Sequence, residues 1–188
     1  MPTTARKGTT RTRRRRTSST RSAVDFVPLG SGEVKDYDLA LSEVSITRER
    51  KKVVDFSVPY FNSDIGVLTL AASPVTQKTV KKVTVDIQQG TTGAAFALDV
   101  LKVKDYNVYA ERADLLKALN DEEIVAVLTD TSITLSAETA SAGKTKVVGQ
   151  YKTGEIYGAV YPKGNANNAT LDKIMTAIID DGTMKKLL

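Results

Sequence analysis

From residue 23 onward, short runs rich in β-branched residues alternate with segments of helical periodicity. This alternation predicts an α/β fold, in which helices cover a sheet. The predicted strands are 23–27, 38–42, 65–71, 82–87, 106–110, 124–130, 145–150 and 156–161. The predicted helices are 92–101, 113–120, 131–142 and 169–179. The last helix has the clearest apolar face, because its apolar residues recur at spacings of three and four.

The chain of 188 residues contains no Cys and no His. This excludes disulfides, thiol nucleophiles, the usual zinc ligands and imidazole acid–base chemistry, and therefore serine–histidine catalysis. Hydrophobic residues make up 41% and charged residues 26% of the chain, which is typical of globular proteins. No run reaches the ~20 apolar residues of a membrane span. No apolar segment follows the N-terminal basic residues, so the sequence predicts no secretory signal.

The charge is distributed unevenly along the chain. Residues 1–22 hold eight of the 27 basic residues and no acidic residue, which leaves 19 basic and 22 acidic residues in the remainder. Because this segment has no apolar periodicity, it is predicted to be a disordered, solvated tail. A second interpretation is weak, non-specific binding to nucleic acid or to acidic membrane surfaces through phosphate contacts.

The segment 38–61 places polar and charged side chains directly after a predicted strand. Such positions lie at the carboxyl edge of an α/β sheet, where ligand crevices form. Ser45 and Thr47 offer hydroxyl and backbone N–H groups. The planar guanidinium of Arg50 matches a carboxylate in two parallel hydrogen bonds. The segment therefore predicts a carboxylate clamp at Arg50, with a surface cation as the alternative.

Two further strand ends carry candidate ligand-binding groups. Gly90 permits a tight turn, and Thr91 or Thr92 can cap a helix whose free N–H groups and dipole attract anions. Asp130 ends a predicted strand, where its carboxylate either caps the next helix or accepts hydrogen bonds from an ammonium group. The Arg50 cation, the helix N-terminus after Gly90 and the Asp130 carboxylate together match a zwitterionic ligand. A plain helix cap, without any ligand, explains the threonines and Asp130 equally well.

Four segments carry a family resemblance: DLALSEVSITRERKKVVDFSVPYFNSDIGVL, VDIQQGTTGAAFA, VAVLTDT and EIYGAVYPKGN. They resemble the polar amino-acid-binding proteins of ABC importers, solute-binding protein family 3, whose fold is shared by the ligand-binding cores of ionotropic glutamate receptors. The resemblance extends from about residue 38 to residue 188. It implies a two-lobed periplasmic-binding-protein-like fold that closes around one amino acid.

The resemblance also implies how the chain divides. Residues 64–160 correspond to a complete lobe 2, and residues 23–63 with 161–188 to a partial lobe 1. The crossing segments near 63–71 and 155–161 are the expected hinge. In the family a strand, a helix and a second strand of lobe 1 precede the SITRERKKVVDFSVPY motif, whereas residues 23–37 have room for one strand and a loop.

Carried over residue by residue, the resemblance assigns Arg50 to the α-carboxylate of the ligand, together with the Ser45 backbone N–H and Thr92. Asp130, the Ser45 hydroxyl and the carbonyl of residue 43 are assigned to the α-ammonium group. Position 43 is usually Gly or Ala in the family, so the Glu43 carboxylate is expected to repel acidic ligands or to pair with Arg50. The predicted ligand-binding residues are thus Glu43, Ser45, Arg50, Thr91, Thr92 and Asp130.

The function implied by the resemblance is that of a monomeric solute-binding protein for a polar amino acid, which feeds the permease of an ABC transporter by lobe closure. No catalysis, cofactor or metal is implied. One alternative is a truncated, non-binding relative or scaffold. Another is an enzyme using Glu43 or Glu155, because a few proteins of this fold class dehydrate small acids. The resemblance implies a periplasmic location, whereas the lack of a signal segment implies a cytoplasmic one if Met1 is the true start.

Overall fold

The computed structural model describes residues 26–33 and 36–187. In chain order the elements are α1 (Phe26–Gly30), β1 (Val54–Phe56), β2 (Phe61–Leu70), β3 (Val85–Gln88), α2 (Thr92–Ala95), β4 (Tyr106–Tyr109), α3 (Arg112–Asn120), β5 (Ala126–Asp130), α4 (Thr131–Ala140), β6 (Thr145–Tyr157), β7 (Val160–Pro162), α5 (Asn168–Asp180) and α6 (Thr183–Leu187). A π-helical turn, Phe96–Val100, continues α2, and 3-10 turns form at Arg50–Lys52 and Val80–Lys82. None of the helices among these residues has the length and apolar character needed to span a bilayer.

Two sheets organise this part of the chain. The large sheet has the strand order β4-β3-β5-β2-β6, with β3 parallel to β4 and β5, and with β2 antiparallel to β5 and β6. The small sheet pairs β1 with β7 in antiparallel orientation. The ends of β3, β5 and β6 and the start of β2 therefore lie at one edge of the large sheet, which is the edge that faces the small sheet.

Alternation along the strands sends apolar side chains into separate core clusters on opposite sheet faces. On β5, Leu128 belongs to a cluster with Ile65 and Ile87, whereas its neighbour Val127 packs with Leu68 and the α3 leucines. The small sheet repeats this arrangement: Val160 packs toward α1, and the adjacent Tyr161 packs toward α5. Both sheets are thus covered on two faces.

Two glycines allow helices to approach the large sheet closely. A Cβ atom on Gly93 would lie 3.0 Å from the carbonyl oxygen of Leu128, so α2 rests directly on β5. A Cβ atom on Gly66 would lie 2.3 Å from the hydroxyl oxygen of Thr134, which is fully buried on α4. These contacts fix the starts of α2 and α4 beside the carboxyl end of β5.

Most predicted elements form within a few residues of the predicted limits, namely the strands 65–71, 82–87, 106–110 and 124–130 and the four helices. The strand predicted at 23–27 is wrong where the structure describes it, because Phe26–Gly30 is helical. Pro28 fits the first turn of a helix but has no N–H to donate to a strand. Residues 1–22, with their predicted disorder, and residues 23–25 lie outside the described residues.

The strand predicted at 38–42 is reduced to one bridge between Ala40 and Val160. Leu39 and Leu41, which suggested a buried strand, are 37% and 52% exposed, so this segment has too little packing to extend the pairing. The two strands predicted at 145–150 and 156–161 are instead the single long strand β6 followed by β7. Sequence reasoning missed β1 and α6. The lobe boundaries stay a prediction.

We expect Gly66→Ala to destabilise the protein by about 1–3 kcal/mol, because the new methyl group would overlap the buried Thr134 side chain and force α4 away from β2. Gly30→Ala is the matched control, since its Cβ would meet only Arg50 Nε at 3.6 Å. The measurement is urea unfolding followed by circular dichroism. Equal unfolding midpoints for the two variants would contradict the close packing of α4 on β2.

Candidate functional site

A cavity of about 300 Å³ lies at the edge of the large sheet that faces the small sheet. All six predicted ligand-binding residues line it: Glu43, Ser45, Arg50, Thr91, Thr92 and Asp130. Residues that sequence reasoning did not select also line it, among them Phe26, Gln88, Glu111, Arg112 and Ile133. The predicted residues therefore converge on one place, although they come from three separate parts of the chain.

Arg50 is buried, with 9% of its surface exposed, so the alternative of a surface cation is wrong. Its Nη1 donates to the Ser45 carbonyl oxygen at 2.9 Å, and its Nη2 donates to the Gly90 carbonyl oxygen at 3.0 Å. Its guanidinium carbon lies 5.1 Å from the centre of the Phe26 ring. Burial lowers the pKa of Arg50, whereas the charges of Asp130 and Glu155 raise it. Partners among the described residues thus take two of the five guanidinium N–H donors.

Glu155, on β6, connects hydroxyl groups from both sides of the cavity. Its Oε2 accepts hydrogen bonds from Ser45 Oγ at 2.6 Å and from Thr92 Oγ1 at 2.7 Å. Sequence reasoning placed Glu155 at the start of an expected hinge segment and named it as an alternative catalytic acid, but not as a ligand-binding residue. The sequence did hold a signal for Glu155 as a binding residue. It lies two residues before Tyr157, at the carboxyl end of a strand, where ligand crevices form.

Thr91 has a local role in shaping the cavity wall. Its hydroxyl oxygen accepts from the Ala94 backbone N–H at 3.0 Å and donates to the Gln88 carbonyl at 2.8 Å. Gly90, just before it, has a φ of 73°, in the left-handed region that favours glycine. Thr91 is thus the helix cap, and this leaves the Thr92 hydroxyl to point elsewhere, to Glu155.

Asp130 does not cap α4 with its side chain. Its Oδ2 instead accepts a hydrogen bond from the Tyr157 hydroxyl at 2.6 Å. That hydroxyl also lies 3.0 Å from Ser63 Oγ and 2.9 Å from Ser132 Oγ. The pKa of Asp130 is raised to about 6, chiefly by burial and also by the charges of Glu155 and Glu43, while the Tyr157 hydrogen bond and Arg50 oppose the shift. Burial also raises the pKa of Tyr157, so its hydroxyl remains a donor.

Glu43 extends across the mouth of the cavity. Its Oε2 accepts from Arg112 Nη1 at 2.7 Å, and its Oε1 accepts from Ser132 Oγ at 3.3 Å. The expected pairing with Arg50 is wrong, because Arg112 on α3 takes this place. The Arg112 and Glu43 side chains are 46% and 38% exposed, so solvent screens this ion pair. Glu43 adopts a φ of 54°, which is unusual for a residue with a side chain and would suit a glycine at this position.

Together these groups place a buried guanidinium and a buried carboxylate around one cavity. Within the described residues, no cluster of three or more acidic side chains is arranged to hold a metal ion. The polar chemistry of the cavity therefore consists of opposite charges, hydroxyl groups and carbonyl oxygens. Such a set is complementary to a small ligand that carries both a carboxylate and an ammonium group.

The sequence model of one protein family, the bacterial extracellular solute-binding proteins, family 3, matches residues 30–188 of this chain. The L-cystine-binding protein TcyJ of Escherichia coli (strain K12) is 28% identical over 165 residues, which are 85% of this chain and 61% of that protein. The chain thus spans less than two thirds of this curated relative.

Solved structures show the same fold. The arginine-, lysine-, histidine-binding protein ArtJ from Geobacillus stearothermophilus matches with a TM-score of 0.72 at 28% identity, over 86% of this chain and 71% of that one. The solute receptor for L-cysteine of Neisseria gonorrhoeae matches with a TM-score of 0.73 at 26% identity, over 85% and 64%. These matches confirm the predicted two-lobed periplasmic-binding-protein-like fold.

The raised pKa of Asp130 predicts a pH-dependent stability. Because the folded protein binds this proton more tightly than the unfolded chain, the contribution of Asp130 to stability falls as pH rises from about 4 to about 6. Relative to Asp130→Asn, the unfolding free energy of the parent should fall by about 2 kcal/mol between about pH 4.5 and about pH 7. Urea unfolding at both pH values measures this difference.

The matched control for this prediction is Asp99→Asn, which changes an exposed carboxylate outside the cavity. It should keep the pH dependence of the parent. If the parent and Asp130→Asn change in parallel with pH, the Asp130 carboxyl group does not carry the predicted shift.

Proposed function

Because the chain belongs to the bacterial extracellular solute-binding proteins, family 3, we propose that its cavity binds a free polar amino acid. Proteins of this family are extracytoplasmic, bind amino acids, work with ABC transporters and are not enzymes. Glu43 and Glu155 are accordingly binding and positioning groups in this proposal. The observation that carries it is the convergence of Arg50 and Asp130 on one cavity.

Arg50 is the group that binds the ligand α-carboxylate in this proposal. Its orientation is already set by the Ser45 and Gly90 carbonyls and by the Phe26 ring, so little side-chain entropy is lost on binding. The remaining N–H donors of its two terminal nitrogens form the planar fork that fits a carboxylate. The backbone N–H groups of Ser45 and Thr92 are the additional donors.

Asp130 is the counter-charge for the α-ammonium group. Tyr157 occupies one side of the carboxylate through a single hydrogen bond, which leaves the other lone pairs for the ligand. No Lys or Arg among the described residues forms an ion pair with Asp130. An ammonium group at this point therefore stabilises a buried charge that the protein leaves uncompensated.

Closure of the two sides around the ligand is the proposed conformational change. The strands β2 and β6 pair along almost their whole length and lead from the large sheet toward the small sheet, which makes their ends the hinge. The contacts that connect the sides include Arg50 with Gly90, and Glu43 with Arg112 and Ser132. A ligand that bridges Arg50 and Asp130 favours the closed form by its differential affinity.

The closed form, on this proposal, presents the amino acid to an ABC permease outside the cytoplasm, with the protein acting as a monomer. The alternative of a non-binding scaffold predicts no ligand response in the experiments below. Nucleic-acid binding through residues 1–22 concerns residues outside those described and stays a prediction.

We expect Arg50→Lys to weaken amino-acid binding at least about 30-fold, because lysine keeps the charge but loses the bidentate fork and the stacking on Phe26. Arg48→Lys, at an exposed position of the same turn, is the matched control and should bind like the parent. Isothermal titration calorimetry with a panel of polar amino acids measures both affinities. Equal affinities for the parent and Arg50→Lys would overturn the assignment.

Binding should also become tighter as pH rises. The ligand ammonium stabilises the charged form of Asp130, so a carboxyl group with a pKa of about 6 releases its proton on binding. Affinity is then expected to rise about tenfold between about pH 5 and about pH 7. Calorimetry in buffers of different ionisation enthalpy counts the released protons. An affinity that is constant over this range, with no proton release, would show that the ammonium group binds elsewhere.

A further inference from the structure

Glu155 determines which way the two hydroxyl groups at the cavity wall point their hydrogens. A serine or threonine hydroxyl has one hydrogen to donate and two lone pairs that accept. At 2.6 and 2.7 Å, the Ser45 and Thr92 hydroxyls both donate to Glu155 Oε2. Their oxygens therefore offer lone pairs, rather than hydrogens, to a ligand. The same two hydroxyls beside a side chain without an acceptor atom would be able to donate to an anion.

The charged groups around the cavity are mostly carboxylates. Glu43, Glu111 and Asp130 line it, and Glu155 lies directly behind the two hydroxyls. The lining cations are Arg50 and Arg112. Once the α-carboxylate and α-ammonium groups of a ligand are matched with Arg50 and Asp130, three carboxylates and one guanidinium remain.

We infer that the cavity selects an amino acid whose side chain carries a positive charge, and that Glu155 is a specificity-determining residue for it. This inference rests on the proposed amino-acid binding. A cationic side chain finds hydrogen-bond acceptors and an excess of negative charge, whereas an anionic one meets repulsion. Glu155 contributes most to this selectivity, because it is half-buried and holds two hydroxyls with their lone pairs toward the ligand. The Glu43–Arg112 pair contributes less, because solvent screens it at the mouth of the cavity.

The experiment compares L-arginine with L-citrulline, which has nearly the same shape but no side-chain charge, by isothermal titration calorimetry. L-Glutamate is the anionic probe. The parent should bind L-arginine at least about tenfold more tightly than L-citrulline, and L-glutamate more weakly than either. Citrulline binding as tightly as arginine overturns the inference alone. No heat with any of the three, nor with the polar amino-acid panel, overturns the proposed function and the inference with it.

The role of Glu155 is tested by Glu155→Gln, which keeps the shape but removes the negative charge. We expect the arginine-over-citrulline ratio to fall by about threefold or more. Glu123→Gln, which removes an exposed charge outside the cavity, should leave the ratio unchanged. An unchanged ratio in Glu155→Gln overturns the assignment of this residue.

A second variant covers the case in which Glu155→Gln fails to fold, as judged by circular dichroism. Thr92→Val removes one of the oriented hydroxyl acceptors with little change of volume, and Glu155 remains in place. It should lower the affinity for L-arginine more than the affinity for L-citrulline. Equal losses of affinity for L-arginine and L-citrulline overturn the role of the Thr92 hydroxyl as a hydrogen-bond acceptor for the ligand side chain.

Discussion

The buried guanidinium of Arg50 is the interaction on which the rest of the site depends. Removing a cation from water is costly unless hydrogen bonds replace its hydration. Here the replacements are the carbonyl oxygens of Ser45 and Gly90 and the face of Phe26. Because Ser45 precedes β1 and Gly90 follows β3, Arg50 fixes the small-sheet side against the turn before α2. No carboxylate among the described residues forms an ion pair with Arg50, so its charge stays available to a ligand.

The second constraint is the pairing of β2 with β6. Its register shifts between Ser63 and Ile65, where the carboxylate of Asp64 accepts from the backbone N–H groups of Thr153 and Gly154 at 2.8 and 3.1 Å. Beyond this irregularity, Glu155 and Tyr157 pair with Ser63 and Phe61, and because they are two residues apart they lie on the same face of the strand. One reaches the hydroxyls beside Arg50, and the other reaches Asp130. The end of β6 thus supplies one side chain near Arg50 and another to Asp130.

Sequence reasoning identified the site residues that lie at or just after the ends of strands. Thr92 and Asp130 were selected because carboxyl ends of strands meet at one edge, and the sheet order brings them together there. Ser45 was selected in the same way from the strand predicted at 38–42, but isolated bridges, and not a strand of the sheet, hold that segment. The fold class followed from the alternation of strand and helix patterns, and the family resemblance added the roles. The exposed leucines at 39 and 41 show where the pattern misled, because alternation alone cannot show whether a neighbouring strand is present.

Other residues escaped prediction for physical reasons. The glycine-containing KTGE segment was predicted as a break between two strands, whereas the Asp64 carboxylate holds it within one strand, and Glu155 was not among the predicted ligand-binding residues. Arg112 is separated from Glu43 by 69 positions, and only the tertiary fold brings them together. Phe26 lay in a segment predicted as a strand, but as part of a helix it reaches the Arg50 guanidinium. Contacts of this range leave no local periodicity.

The acidic character of the cavity connects stability with binding. Burial of Asp130 near Glu155 and Glu43 raises its pKa, which means that the ionised carboxylate is a cost to the unliganded fold at neutral pH. Packing alone does not remove this cost, because the Tyr157 hydroxyl supplies a single hydrogen bond and no positive charge. A cationic group in the cavity removes it and gains the full attraction of a partly desolvated site. On the proposed function, relief of this electrostatic cost is part of the free energy of ligand binding, and it favours the closed form.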